Sequence, residues 1–212
     1  MNTSPPQAEG RVARRQARNR SALIDAARQI MSEKGIDAAT MAEIAEVADV
    51  GAGTVYNYFK SKEDLAIAVL EALMLDLALK IEKVTDTFDD PGQVYAFGIR
   101  TVIDTATSDL RWRQLLSRSE VMANAMFRQM GPFAIRDLEN ATRAGRFKVD
   151  DAALTWKMAT HAIVGVALSV TAGELLVSVI DNCVVRLLCM TGIGRDEAVD
   201  LANRDRPEIA AD

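Results

Sequence analysis

The 212-residue chain is poor in the side chains that build metal centres, catalytic dyads and disulfide frameworks, with one histidine, His161, and two cysteines, Cys183 and Cys189. The cysteines lie six residues apart in an apolar stretch. On a helix that spacing points them about 240° apart, so they neither pair with each other nor share a metal. No zinc site of the Cys/His kind can be assembled from this inventory, and neither metal nor cofactor is expected. Glycine-rich phosphate loops, nucleophile elbows, CxxC and HExxH are absent too. The acid pairs Asp89-Asp90 and Asp150-Asp151 read as helix caps. Catalysis would rest on His161 alone, so an enzyme is not expected. Five prolines and twelve glycines are few for a loop-rich β protein. The first ten residues contain no apolar stretch of the secretory-signal kind. One long apolar run, Met158 to Ile180, contains His161, Gly173 and Glu174, and reads as a buried or interface helix rather than a membrane span. A cytoplasmic protein with reduced thiols is the expectation.

What the chain has is helical periodicity, with 49% hydrophobic and 26% charged residues. Leu23, Ala27 and Ile30 follow i, i+4, i+7, and Lys34-Gly35 supplies a cation and a glycine to end that helix. Thr40-Met41-Ala42-Glu43 has the form of a capping box, and Asp49-Val50-Gly51 a tight break. Val55 and Phe59 mark a second short helix, and Ser61 caps a third running to about Lys83. Asp90-Pro91 starts a helix reaching about Thr107, and Ser108 caps a short one with Trp112, Leu115 and Leu116. A longer helix from Ser119 is expected to bend or break at Gly131-Pro132. Asp150 or Asp151 caps a helix to about Ala172, and a last one is expected from Glu174 to about Met190. The fold class is all-α, with about nine helices.

The stretch Thr40 to Asp64 carries the functional signal. Two short helices joined by a tight turn near a glycine form a helix-turn-helix, whose second helix enters the major groove by its N-terminal residues. Here these are Ala52, Gly53 and Thr54, small enough for the backbone to approach base edges. Tyr56, Asn57 and Tyr58 add hydroxyl and amide groups suited to phosphates and bases, and Lys60 and Lys62 add charge. The run Ala45 to Leu65, with Thr54-Val55-Tyr56-Asn57-Tyr58-Phe59-Lys60-Ser61-Lys62-Glu63 at its centre, resembles the signature of TetR-family transcriptional regulators. The likeness covers residues 18–66, and extends to Ile24 through Gly35 and to Ala39-Thr40.

That resemblance implies a homodimer on a palindromic double-stranded DNA operator, with no membrane involved. It assigns backbone contacts to Thr40, Thr54, Tyr56, Tyr58 and Lys62, and base reading to Ala52, Gly53 and Asn57. The expected domains are a basic N-terminal tail at 1–17, partly helical or not, a DNA-binding domain at 18–66, a ligand-binding and dimerisation domain at 67–203, and a tail at 204–212. Arg11, Arg14, Arg15 and Arg18 form a stripe that is either a solvated tail or a DNA-contacting arm. The regulator is expected to be a repressor released by a small apolar or aromatic ligand. Activation, or control by a protein partner, is the alternative.

In the C-terminal half Tyr95, Phe97, Trp112, Met122, Met126, Phe127, Trp156, Met158 and His161 are the candidate pocket lining. Ala162, Gly165, Ser169, Leu176, Val179, Ile180, Cys183, Val184 and Leu187 are the candidate dimer interface, where small residues permit close helix approach. The net charge of −5 belongs to this half: residues 1–65 hold nine cationic and nine acidic side chains, and residues 66–212 hold 16 and 21. The chain average thus conceals a neutral N-terminal part whose first 20 residues carry five arginines.

Overall fold

The computed structural model describes residues 6–109, 112 and 119–209. Among these residues there are nine helices and no strand: α1 (Pro6–Lys34), α2 (Met41–Val47), α3 (Ala52–Tyr58), α4 (Lys62–Thr85), α5 (Pro91–Ser108), α6 (Ser119–Arg143), α7 (Ala152–Thr171), α8 (Val179–Cys189) and α9 (Arg195–Asn203). The chain divides into two compact units, Met1–Ala72 and Leu73–Asp212, the boundary falling inside α4.

In the first unit local chemistry sets each helix end. The backbone of Gly35 turns left-handed at φ 86° and stops α1. Thr40 caps α2 with a full capping box: its hydroxyl accepts from the Glu43 N–H, and its own N–H donates to the Glu43 carboxylate. Asp49 takes a positive φ of 52° in the turn, a conformation aspartate tolerates better than most residues. The core of the unit is Leu23, Ala27, Ile44, Val55, Phe59 and Leu65. Because α1 begins at Pro6, most of the segment expected as a tail is helix, with Arg14, Arg15 and Arg18 exposed on it.

In the second unit α6 and α7 make the most extensive pairing, α5 packs on both, and α8 and α9 pack on α5. Trp112, Met122, Met126, Trp156, Ile99 and Ile103 are fully buried, each such side chain contributing about 1.5–3 kcal/mol on burial. Leu115 and Leu116 lie outside the described residues. Asp90 caps α5 through the Gly92 N–H at 2.9 Å and also accepts from Arg146 at 3.0 and 3.2 Å and from Arg204 at 2.7 Å. Arg146 pairs onward with Glu197 and Arg204 with Asp200. Burial works to raise the Asp90 carboxyl, but the guanidinium bonds and the Gly92 N–H outweigh it and hold it below the usual carboxylate range.

Two helix boundaries differ from the periodicity. Gly131-Pro132 does not break α6, which runs unbroken to Arg143. The Pro132 ring stands on the exposed side, while Met130, Gly131 and Leu138 hold the inner face in the core. Glu174 does not open the last helix. It belongs to the stop of α7, where Gly173 is left-handed, the Glu174 N–H donates to the Ser169 carbonyl, and the Glu174 carboxylate accepts from the Ser169 hydroxyl. Leu175, Leu176 and Val177 follow as an exposed connection, α8 starts at Val179, and α9 is a further helix after Gly192 and Gly194. Among the described residues α7 alone is long and apolar enough, by length and composition, to cross a membrane, with a mean hydropathy of 1.3. It spends Trp156, Ala159, Thr160, Ile163 and Val164 on the protein core.

Candidate nucleic-acid interface and effector cavity

α3 buries Val55 and turns Ala52, Gly53, Tyr56 and Asn57 outward. Residues three and four apart share a helix face, so these four form one surface. Nothing lies within 4 Å of a Cβ built on Gly53, so the backbone there is open to an incoming surface. Tyr56 is 58% exposed, against the ordinary tendency of a tyrosine ring to bury. Thr54 and Tyr58 are half-buried at the flanks, and Lys60 is exposed in the connection to α4.

Thr40 and Lys62 carry structural bonds as well. The Thr40 hydroxyl donates to Glu43 at 2.7 Å within the capping box, and Lys62 Nζ donates to the Asp37 carbonyl at 2.7 Å. The Lys34 ammonium, with Thr40, holds the Glu43 carboxyl down at about 2. Arg20 of α1, which sequence patterning did not single out, places its guanidinium 5.3 Å from the centre of the Phe59 ring at the end of α3.

In the second unit a partly open cavity of about 30 Å³ lies among four helices. Ala78 and Ile81 of α4, Tyr95, Gly98, Ile99 and Val102 of α5, Met130, Phe133, Ala134 and Asp137 of α6, and Trp156 of α7 line it. The walls are apolar, with two exceptions in kind. Tyr95 Oη and Trp156 Nε1 are buried with no hydrogen-bond partner among the described residues. Asp137 presents a carboxylate that Arg136 binds twice on Oδ1, at 3.1 and 2.8 Å. Burial pushes the Asp137 carboxyl up, against the pull of Arg136. Burial also raises the Tyr95 phenol, and the neighbouring Asp137 charge adds to it.

Of the nine side chains expected to line a pocket, Tyr95 and Trp156 face this cavity. Phe97 and Met158 each stand two residues further along the same helices, about 200° round, and so face elsewhere. Phe97 packs edge-on against Phe88 at 5.5 Å, and Met158 is 53% exposed. Trp112, Met122 and Met126 are core, and Phe127 is half-buried beneath the Lys157 ammonium. His161 is exposed, with Nδ1 2.8 Å from the Lys157 carbonyl. Asp137 was missed, although a signal exists: a carboxylate at i+7 on the apolar stripe Met130, Phe133, Ala134.

Met158 and His161 instead share an exposed stripe of α7 with Leu154, Gly165 and the half-buried Ala162 and Ser169. Leu176, Val179 and Cys183 are at least partly exposed nearby in sequence, whereas Ile180, Val184 and Leu187 point into the chain's own core. Those three cannot meet a second copy while packed this way.

Residues 23–69 match the family described as bacterial regulatory proteins, tetR family, and residues 90–204 match the tetracyclin repressor-like C-terminal domain. The regulator BetI of Rhizobium meliloti is 44% identical over 55 residues, 26% of this chain and 27% of that protein. The repressor KstR of Mycolicibacterium smegmatis is 43% identical over 61 residues, 29% of each chain. These curated relatives are therefore matched over little more than a quarter of their own length. Among solved structures, RolR bound to resorcinol is 29% identical with a TM-score of 0.83, spanning 93% of this chain and all of that one. RolR without ligand is 30% identical with a TM-score of 0.79, over 90% of this chain and all of that one. The relatives are transcriptional regulators rather than enzymes, and the two profiles together cover the helix-turn-helix and more than half of the chain beyond it. This chain belongs to the TetR family of transcriptional regulators.

Proposed function

We propose that the protein is a homodimeric, cytoplasmic repressor that holds a palindromic operator and releases it when a compact, largely apolar or aromatic molecule occupies the α4–α7 cavity. Residues 18–66 form the DNA-binding domain and 67–203 the regulatory one. Ala52, Gly53 and Asn57 read base edges, while Thr40, Thr54, Tyr56, Tyr58, Lys60 and Lys62 hold phosphates. The α7 stripe of Leu154, Met158, Ala162, Gly165 and Ser169, with Leu176, meets its equivalent on a second copy.

The observation that carries the reading is α4 itself. The helix begins at Lys62, directly after the helix-turn-helix, and its second half supplies Ala78 and Ile81 to the cavity wall. An occupant that displaces α4 favours one of two conformations, and by linkage weakens DNA binding by the ratio of its affinities for them. The likeness to RolR, solved with resorcinol bound, supports a single-ring effector.

The test is footprinting on DNA upstream of the protein's own coding sequence, with light scattering for the oligomeric state. Two protected half-sites one helical turn apart or somewhat more (about 34–36 Å for one turn), bound by a dimer and sensitive to salt, are expected. Binding with no preference over unrelated DNA between about 50 and 200 mM salt refutes the reading.

A further inference from the structure

We propose that the N-terminal stretch of α1 is a DNA-backbone arm, whose Arg14, Arg15 and Arg18 bind phosphates outside the bases that α3 reads; this rests on the operator-binding reading above. On α1 the core of the first unit begins at Leu23, which is 0% exposed. Ahead of it residues 12–18 are exposed without exception, so about two turns of helix bury nothing within the chain. Arg14, Arg15 and Arg18 fall within about 100° of one another, on the side of α1 away from Leu23 and Ala27. Among the described residues none of the three forms an ion pair, and Arg14 Nε donates only to the Gly10 carbonyl of its own helix, at 3.0 Å.

Composition decides what covers this face. A protein groove or a membrane surface takes up a helix by its apolar stripe. Val12 is the only large hydrophobic residue between Gly10 and Ala22, so neither finds one here. The same stretch holds five arginines and no acid. Guanidinium forks without internal counter-charge match phosphate oxygens. In the packed part of the unit, by contrast, Lys34 pairs with Glu43 and Lys62 donates to the Asp37 carbonyl. Arg14 and Arg18 also stand four apart, a like-charge spacing that destabilises a free helix and that phosphates relieve.

Arg20 fixes the root of the arm. Its guanidinium lies over the Phe59 ring at the C-cap of α3, next to the exposed Lys60 and about one turn from the exposed Tyr56. At about 1.5 Å per residue, Arg18 and Arg14 stand about 3 and 9 Å further along the helix axis. The minor groove is about 6 Å wide, so an arm rooted beside the recognition helix reaches the next sugar–phosphate strand. Phosphates carry no base information, and the arm therefore adds affinity without changing which sequence is preferred.

Equilibrium binding of the full chain to a duplex from upstream of its coding sequence, and to a scrambled duplex of equal length, tests the assignment between about 50 and 200 mM salt. Arg14→Ala, Arg15→Ala and Arg18→Ala together are expected to lower the salt slope by about 3 per bound chain. The same variant should weaken both duplexes alike, by about tenfold or more at the lowest salt. Lysine at the three positions keeps the charge and restores the slope, as phosphate contacts require. Glutamine there gives the same readout as alanine should alanine perturb α1 by circular dichroism. An unchanged slope, a slope that lysine does not restore, or a loss confined to the upstream duplex overturns the arm. Capture by phosphatidylserine vesicles that the alanine variant abolishes, with DNA binding untouched, overturns it too. Equal binding of both duplexes by the unaltered chain, with the slope still lowered in the variant, supports the arm and refutes the operator reading. Preference for the upstream duplex with an unchanged slope in the variant keeps the operator reading and refutes the arm.

Discussion

Replacing Gly98 by alanine adds one methyl group to the cavity wall from the interior of α5. A Cβ at this position meets Ile81 Cγ2 at 3.8 Å, an ordinary contact, so the helix accepts it without movement. Glycine inside a helix costs about 0.5–1 kcal/mol relative to alanine. Burying part of a methyl adds up to about 0.8 kcal/mol more. The sum is about 0.5–1.8 kcal/mol of added stability, which for a chain of this size raises Tm by roughly 1–7 °C. The same methyl, close in bulk to a water molecule, consumes much of a cavity of about 30 Å³. Overpacking of that kind costs a ligand about 1–3 kcal/mol, or roughly tenfold or more in affinity. The substitution should therefore stabilise the free protein and blunt its ligand response together. Scanning calorimetry of the free protein, followed by ligand titration of the protein–DNA complex, reads both. A lowered Tm means that α4 and α5 are closer than described. A raised Tm with an unchanged ligand response means that the effector does not enter between them.

Three further outcomes follow from the same geometry. Glu43 should titrate near 2 by NMR, and Lys34→Ala should return it toward 4.5. A lowered carboxylate lends its stability above the unfolded pKa, so the α2 cap should loosen as pH falls from about 4.5 through about 2, and a wild-type midpoint near 4.5 contradicts the capping geometry. Asp90→Ala removes a helix cap worth about 1 kcal/mol and the charge-assisted bonds of two arginines, for a total near 2–3 kcal/mol; chemical denaturation giving less than about 1 kcal/mol would show that the hub is dispensable. Gly192→Ala places a Cβ 2.8 Å from Lys148 Cβ and 3.2 Å from its carbonyl oxygen at a φ of +84°, so a loss of about 2–4 kcal/mol is expected, and a stable variant refutes the close approach.

Signals confined to a few neighbouring residues were the legible ones. Thr40 with Glu43, Gly35, and Asp90 before Pro91 each determine a helix end by chemistry that needs no tertiary partner. Gly131-Pro132 does not break its helix and Glu174 does not open one, because the meaning of each depends on remote packing or on the preceding helix. Gly131 lies against the Trp156 indole, and Glu174 completes the end of α7. In the C-terminal half, residue type marked Tyr95 and Trp156 as suited to a pocket, but Phe97 and Met158 have equally suitable chemistry on the opposite helix faces. Composition does not distinguish them, whereas helical phase does. Asp137 was readable by phase alone, as a charge on an apolar stripe.

The Asp90 hub also bears on how the chain is made. Asp90 meets Arg146 after 56 further residues and Arg204 after 114. At synthesis rates of about 5–20 residues per second, the second partner is added roughly 6–23 s after Asp90 itself. Throughout that interval the first unit is already complete on the nascent chain, while the start of α5 carries a carboxylate whose final arginine is not yet translated. The second unit thus obtains the last arginine of this hub at the end of its most C-terminal helix. A ribosome stalled before Arg204 therefore holds a chain whose helix-turn-helix residues are all synthesised and whose Asp90 hub still lacks one of its two arginines.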